Sequence, residues 1–196
     1  MTETGKERLR ERLVAARRAI PAADRAARSR EVALRVAALP AFARARVVAL
    51  YAPMGAEVDT AELARLALAA GKTLAWPRLA GGTRRLGFAA CDPAALVPGP
   101  LSTRQPPPGA PEVPFEGIDL VCVPGVAFDP ALRRLGRGGG YYDATLPAFG
   151  GWTVRVGLAF EAQVVPEVPA EPGDAPVDLL ATEARLLGLA GRPPGG

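Results

Sequence analysis

The sequence predicts an α/β fold with strands paired in parallel. Three observations carry this expectation. Residues 46–51 (RVVALY) form a short, nearly continuous apolar run, the pattern of a strand covered on both faces. A helical pattern and a second strand-like run, 72–76 (KTLAW), follow it, and such strand–helix–strand units build parallel sheets. A third apolar run at 118–123 leads toward four glycines set among three arginines, Arg133, Arg134 and Arg137. An apolar share of 49% over 196 residues is ample for one core. The expectation is a single domain over 1–190, with helices 4–39 packed on the α/β body, and a disordered tail at 191–196.

Taken in order, residues 4–20 read as an amphipathic helix. Leu9, Leu13, Ala16 and Ile20 recur at helical spacing, with Thr4 as a cap. Lys6 and Arg10 are four apart and share one face. Pro21 ends this helix and starts the next, 22–38, with Val32, Val36 and Leu39 inward and Pro40 closing it. After strand 46–51 and loop 52–59, Asp59 or Thr60 caps a helix to Ala70, and Gly71 stops it. Residues 85–89 make one more short strand. Eight prolines between 91 and 116 rule out regular helix there, so an extended, rigid surface loop is expected. Strand 118–123 feeds the glycine loop. A short helix, 141–146, ends near Pro147, and strands 153–159, 177–181 and 184–189 complete the chain. There is no internal repeat.

Composition removes several function classes. Histidine is absent, which excludes Ser-His-Asp and Cys-His catalysis and His-ligated zinc. Proton transfer falls to Asp, Glu, Tyr, Lys or the substrate. The two cysteines, Cys91 and Cys122, lie in apolar surroundings and read as buried thiols in a reducing compartment; any metal is then hard and oxygen-bound, such as Mg²⁺. No run approaches the ~18–20 apolar residues of a membrane span, and the first residues carry no apolar secretory core, so a cytoplasmic protein is expected. Residues 1–46 hold twelve Lys/Arg against five Asp/Glu, a balance of +7 within a net +4. That suggests an anionic partner, either nucleic acid or ligand phosphates. Arginine outnumbers lysine 22 to 2, a composition bias that weakens arguments from arginine count.

The stretch RRLGRGGGYYD (133–143) combines backbone N–H groups that glycine can turn toward an anion with a helix start just beyond. It is neither common phosphate fingerprint. No Lys-Ser/Thr follows the glycines, and the sixth position from Gly136 is Tyr141, not glycine. By itself it reads either as an anion site at a strand's end or as a tight loop with basic decoration.

RLGRGGGYYD, preceded by VPGVAFD, closely resembles the signature of the 5-formyltetrahydrofolate cyclo-ligases, also called 5,10-methenyltetrahydrofolate synthetases. Four further elements fall in that family's order: Lys6-x-x-x-Arg10, YxPxxxEVDT at 51–60, GKxxxxPR at 71–78 and VDxxxTE at 177–183. The resemblance implies a three-layer α/β fold of phosphosugar-isomerase or CoA-transferase type, with helices on both faces of a mainly parallel sheet. It implies ATP- and Mg²⁺-dependent cyclisation of 5-formyltetrahydrofolate to 5,10-methenyltetrahydrofolate. The formyl oxygen takes the γ-phosphoryl group, N10 closes the ring, and ADP and phosphate leave.

Carried over residue by residue, ATP contacts fall on Lys6, Arg10, Arg134, Leu135, Gly136, Arg137, Gly138, Gly139, Gly140, Tyr141 and Tyr142. Folate contacts fall on Ala52, Glu57, Arg137, Gly138, Gly139, Gly140 and Tyr141. Arg137 and Tyr142 are the expected catalytic residues. Asp143 matches the Mg²⁺ position; Asp178, with Asp174, is a candidate second ligand or arginine partner. Two departures stand out: Gly139 where some relatives carry lysine, and Gly173 where relatives often carry histidine. The resemblance further implies a monomer acting on a small folate, which can be polyglutamylated, with no nucleic-acid or membrane partner. The competing readings are a phosphosugar isomerase or CoA transferase on the same fold, and a basic nucleic-acid-binding module.

Overall fold

The computed structural model describes residues 3–79 and 82–188, the side chains of Glu3 and Thr4 excepted. Helices α1 (Glu3–Ala19) and α2 (Ala22–Ala37) open the chain, separated by Pro21. α1 already includes Thr4, the expected cap, whose side chain lies outside the described residues. Pro40 does more than close α2. It opens a further five-residue helix, α3 (Pro40–Arg44), because a fixed φ and a missing N–H suit a first helical turn. Then come β1 (Val47–Ala49), α4 (Ala61–Ala69), β2 (Thr73–Leu79) and β3 (Leu86–Ala90).

The proline-rich stretch is not wholly extended. It contains a small hairpin of β4 (Val97–Pro98) and β5 (Arg104–Gln105). β6 (Leu120–Pro124) is followed by a second hairpin, β7 (Ala127–Phe128) with β8 (Arg134–Leu135), and by helix α5 (Tyr141–Thr145). β9 (Val154–Leu158), β10 (Leu179–Ala181) and β11 (Leu186–Gly188) end the described chain; the expected disorder at 191–196 falls outside it.

Seven strands make one sheet in the order β11-β10-β9-β6-β1-β2-β3. The five inner strands are parallel and both edge strands antiparallel, so the α/β expectation holds. Alternation along the inner strands splits the core. Val48, Leu74 and Cys122 face α2, α3 and α4, where they meet Val32, Leu63 and Phe42. Ala49, Val121 and Val123 face the opposite layer, built by Leu146, Phe149, Phe128 and Leu132. That second layer has little helix: α5 has five residues, and a 3₁₀ turn, Leu146–Ala148, extends it. Edge-to-face contacts of Phe88, Phe115 and Phe149, with ring centroids 5.1 to 6.0 Å apart, bind the end of the proline-rich stretch to this face. α1 packs outside both layers, with Leu13 against Val126, Ala127 and Leu135.

Cys122 is buried and Cys91 only partly so; both are free, and burial raises both thiols. Among the described residues no helix is long and apolar enough to cross a membrane.

Phe128 is fully buried, and its ring occupies space that two glycines leave open. A Cβ on Gly125 would lie 2.5 Å from the ring, and one on Gly157 of β9 2.6 Å from it. Overpacking of this kind costs roughly 1–3 kcal/mol. Gly157→Ala is therefore expected to lower the unfolding free energy by that amount, seen as a lower urea midpoint with an unchanged m-value. An unfolding curve superimposable on wild type would show that the ring has room to spare.

Candidate active site

The chain leaves β1 through α4 to β2 on one side and later places β6 on the other side of β1. Connections diverging from adjacent parallel strands open a crevice at the strands' carboxyl ends. A cleft of about 320 Å³ lies there. Tyr51, Ala52 and Glu57 line it from the segment after β1, and Pro124 and Gly125 from the end of β6.

The glycine loop does not leave β6 directly, as the sequence had suggested. The β7–β8 hairpin intervenes. Buried Asp129 closes its turn by accepting from Arg133 N (3.0 Å), Arg133 Nε (2.6 Å) and Val168 N (2.8 Å). The detour brings Arg134 and the glycines back over the crevice. Arg134 is buried. Its Nη2 donates to Asp143 Oδ1 at 2.5 Å, its Nη1 reaches Pro124 O at 3.5 Å, and its guanidinium lies 5.8 Å from the Tyr142 ring centre. Gly136, Gly139 and Gly140 line the cleft with Arg137, Tyr141 and Tyr142. Gly138 and Gly140 have φ of +99° and +70°, the left-handed region that glycine enters without strain. Leu135 turns its side chain away, into the α1 cluster.

Glu57 is buried at the opposite wall. Its Oε2 accepts from Met54 N at 2.9 Å and its Oε1 from Arg137 Nη1 at 3.3 Å, so it serves the cleft and not the start of α4. Asp59 fills that role: its Oδ1 accepts from Ala61 N at 2.9 Å, whereas Thr60 Oγ1 donates to Tyr51 O at 2.9 Å. Tyr51 donates its hydroxyl to Val58 O at 3.1 Å. Burial, then the nearby Glu57 charge, push the Tyr51 and Tyr142 phenols above their ordinary range, so both stay protonated.

Helix α1 supplies cations unevenly. Arg10 Nε donates to Gly136 O at 3.0 Å, and its guanidinium carbon would lie 3.9 Å from a Cβ on Gly138. Lys6 is buried and does not line the cleft. Its Nζ pairs with Asp174 Oδ2 at 2.9 Å and Glu171 Oε2 at 3.0 Å. Burial alone would lower this ammonium's pKa, but the two carboxylates outweigh it and hold it above its usual value. Arg17, which sequence reasoning passed over, is also buried and donates to Gly125 O at 3.3 Å. Burial pulls its pKa down and the nearby Glu57 charge partly restores it. Its signal was its place seven residues after Arg10, on the same helical face.

The carboxylates divide. Asp143 lines the cleft, and both of its hydrogen bonds, from Arg134 and from Ala175 N, fall on Oδ1. Asp178 is not brought to it. It precedes β10 at the other end of the sheet, where Oδ2 accepts from Arg155 N at 2.8 Å, so of its two expected roles the arginine partner is the one observed. Asp174 is taken by Lys6. Among the described residues no three acidic or thiol side chains gather around a point. One carboxylate beside a glycine loop fits the chemistry of Mg²⁺, which takes one or two carboxylates and completes its shell with other oxygens and water.

The two phenols carry a pH signature. Their folded pKa values lie above the unfolded value, so their contribution is complete below pH ~10 and is lost above it, as pH rises toward the raised folded values. Urea midpoints are expected to hold up to about pH 10 and to fall above it, and Tyr142→Phe to blunt the fall. An identical pH slope in that variant would mean the phenol ionises freely when folded.

A sequence profile of the 5-formyltetrahydrofolate cyclo-ligase family matches residues 2–183. The chain is 31% identical over 192 residues to a 5-formyltetrahydrofolate cyclo-ligase of Mycolicibacterium smegmatis, covering 94% of this chain and 97% of the relative. It is also 31% identical to that of Escherichia coli, covering 87% and 96%. The solution structure of Aquifex aeolicus 5,10-methenyltetrahydrofolate synthetase superimposes with a TM-score of 0.84 at 33% identity, covering 96% of this chain and 95% of that one. The Mycoplasma pneumoniae synthetase, at 21% identity and TM-score 0.75, shares the fold over 91% and 98%. With five motifs in order and three of them meeting at one cleft, the chain belongs to the 5-formyltetrahydrofolate cyclo-ligase family.

Proposed function

We propose that this protein cyclises 5-formyltetrahydrofolate to 5,10-methenyltetrahydrofolate at the expense of ATP, acting as a cytoplasmic monomer. The observation that carries the reading is the Arg137–Glu57 pair. It links, across 80 residues, the glycine loop that would hold phosphates to the buried carboxylate that would hold the pterin. Glu57 presents acceptor oxygens suited to the amino and N–H edge of a pterin, and Arg137 neutralises it from the loop. The formyl oxygen, set between them, takes the γ-phosphoryl group as the bond to ADP breaks. N10 then attacks the formyl carbon, and phosphate departs with the former formyl oxygen and accepts the N10 proton.

The substrates supply the nucleophiles and the proton acceptor, which suits a chain without histidine. The protein's part is orientation and charge neutralisation. Arg137 is free to follow charge from the formyl oxygen to the phosphate, because its side chain is 45% exposed and, among the described residues, bonded only at Nη1. Arg134 is fixed by Asp143 and sets the loop's shape, and Tyr142 contributes an O–H donor. Mg²⁺ would be held by Asp143 together with phosphate oxygens and would supply charge neutralisation. Arg10 would add its free N–H groups to the phosphates from α1.

Incubation with 5-formyltetrahydrofolate and MgATP is expected to yield the near-ultraviolet absorbance of methenyltetrahydrofolate. A folded, metal-replete sample that gives none would end the proposal. Arg137→Ala should fold normally and lose on the order of a hundredfold in kcat. Glu57→Gln should raise KM for the folate roughly tenfold and leave KM for ATP near wild type. Steady-state kinetics on both substrates checks each expectation, and near-normal turnover of Arg137→Ala would remove the loop arginine from the chemistry.

A further inference from the structure

We infer that Arg17 is a positioning residue for the cyclisation, the fixed counter-charge that holds the Glu57 carboxylate in place while Arg137 turns to the phosphoryl group. The inference rests on the folate reading above and takes up a guanidinium that none of the five motifs contains. Arg17 is buried and does not line the cleft. Its Nη1 donates to Gly125 O at 3.3 Å, and its Nε is buried without a hydrogen-bond partner. No carboxylate pairs with it among the described residues, whereas Lys6, Arg134 and Arg137 each have one. Such a cation needs compensation, because a charge taken out of water is offset only by pairing and hydrogen bonds.

The compensation acts from beyond contact. Burial lowers the pKa of Arg17 most; of the charges around it, Glu57 comes first and supports the cation, and Arg137 comes next and opposes it. Glu57 thus answers two guanidiniums. Arg137 is in contact and half-exposed; Arg17 is out of contact and buried.

The two cannot play the same part. Arg137 sits on the glycine loop and can swing. Arg17 is locked. One turn before it, Leu13 packs against Val126, Ala127 and Leu135, which fixes the register of α1. The carbonyl that Arg17 holds is itself fixed. Gln163 Nε2 donates to Gly125 O at 2.9 Å and to Val126 O at 3.0 Å, and Gln163 Oε1 accepts from Phe160 N at 3.0 Å. Before chemistry Arg137 neutralises Glu57. Once that guanidinium follows the charge transferred to the formyl oxygen, the buried carboxylate keeps only Met54 N and the neutral pterin edge. A buried charge stripped of its partner is strongly unfavourable. Arg17 remains, and in a buried setting its charge acts beyond contact distance. The alternative is an anchor that merely ties α1 to the end of β6, and the test separates the two.

Steady-state kinetics and urea unfolding are measured for Arg17→Gln, Arg17→Met and Arg17→Lys, each with Glu57 intact and together with Glu57→Gln. The two neutral variants should fold, because they no longer bury an unpaired charge. With Glu57 intact they should lower kcat on the order of tenfold and leave both KM values within about twofold, since Arg137 still neutralises Glu57 before chemistry. Arg17→Lys should recover most of that loss. With Glu57→Gln present, the same neutral substitutions should cost no further kcat, because no carboxylate is left to balance. An equal kcat loss in both backgrounds makes Arg17 an anchor only and overturns the inference. So does an unchanged kcat with Glu57 intact, a raised KM for ATP, no recovery in Arg17→Lys, or neutral variants that do not fold. In each of these cases the cyclo-ligase reading stands; a wild-type protein without turnover overturns both.

Discussion

A buried guanidinium, that of Arg134, holds the cleft in shape. It joins three parts of the chain that otherwise only approach one another: the end of β6 through Pro124 O, the β7–β8 hairpin on which it sits, and α5 through Asp143 and the Tyr142 ring. A charge taken out of water is tolerable only when it is paired and hydrogen-bonded, and removing one partner of such a pair costs about 3–5 kcal/mol. The loop above it is shaped to suit. A Cβ on Gly136 would lie 2.8 Å from Arg134 Nη1, so this glycine makes room for the arginine whether or not a phosphate is bound. Gly139 plays the same part for the Tyr141 ring, at 2.9 Å. The glycine run thus does two jobs: left-handed backbone at two positions and bare surface at the other two.

The rest of the site follows from pairing charges before any ligand arrives. Lys6 is balanced by Glu171 and Asp174, Arg134 by Asp143, and Arg137 by Glu57. Pre-paired charges keep their geometry without a ligand and spare the reorganisation a flexible site would need. The pairs also bind the body together. Lys6 ties the first helix to the segment before β10. Arg28 and Arg35 of α2 tie it to Glu183 and to the carbonyls of Thr182 and Glu183 just after β10. The C-terminal VDxxxTE motif is therefore a joint between strand and helix, with Asp178 seated on Arg155 at its start.

Much of this was legible in the residues. Apolar runs marked three of the five inner strands, β1, β2 and β6, because a strand buried on both faces is apolar nearly throughout. Proline and glycine marked most helix ends. Glu57, Arg137 and the glycine loop were named as site residues before their positions were known, on the strength of motifs in order. What stayed hidden was short or long-range. The two hairpins have strands of two residues each, too short for any periodicity to register. Arg17 looked like one more basic residue in an arginine-rich helix, and its burial depends on what packs over it.

The sequence by itself determined the fold class, the family and the residue types available for chemistry, since those depend on local pattern and composition. The tertiary structure alone decided which charges meet. That Arg137 faces Glu57, that Lys6 answers Asp174 and that Asp178 stands apart from Asp143 are consequences of strand order. β6 lies beside β1, opposite β2, and only that switch turns both loops onto one crevice and sends the start of β10 to the far end of the sheet.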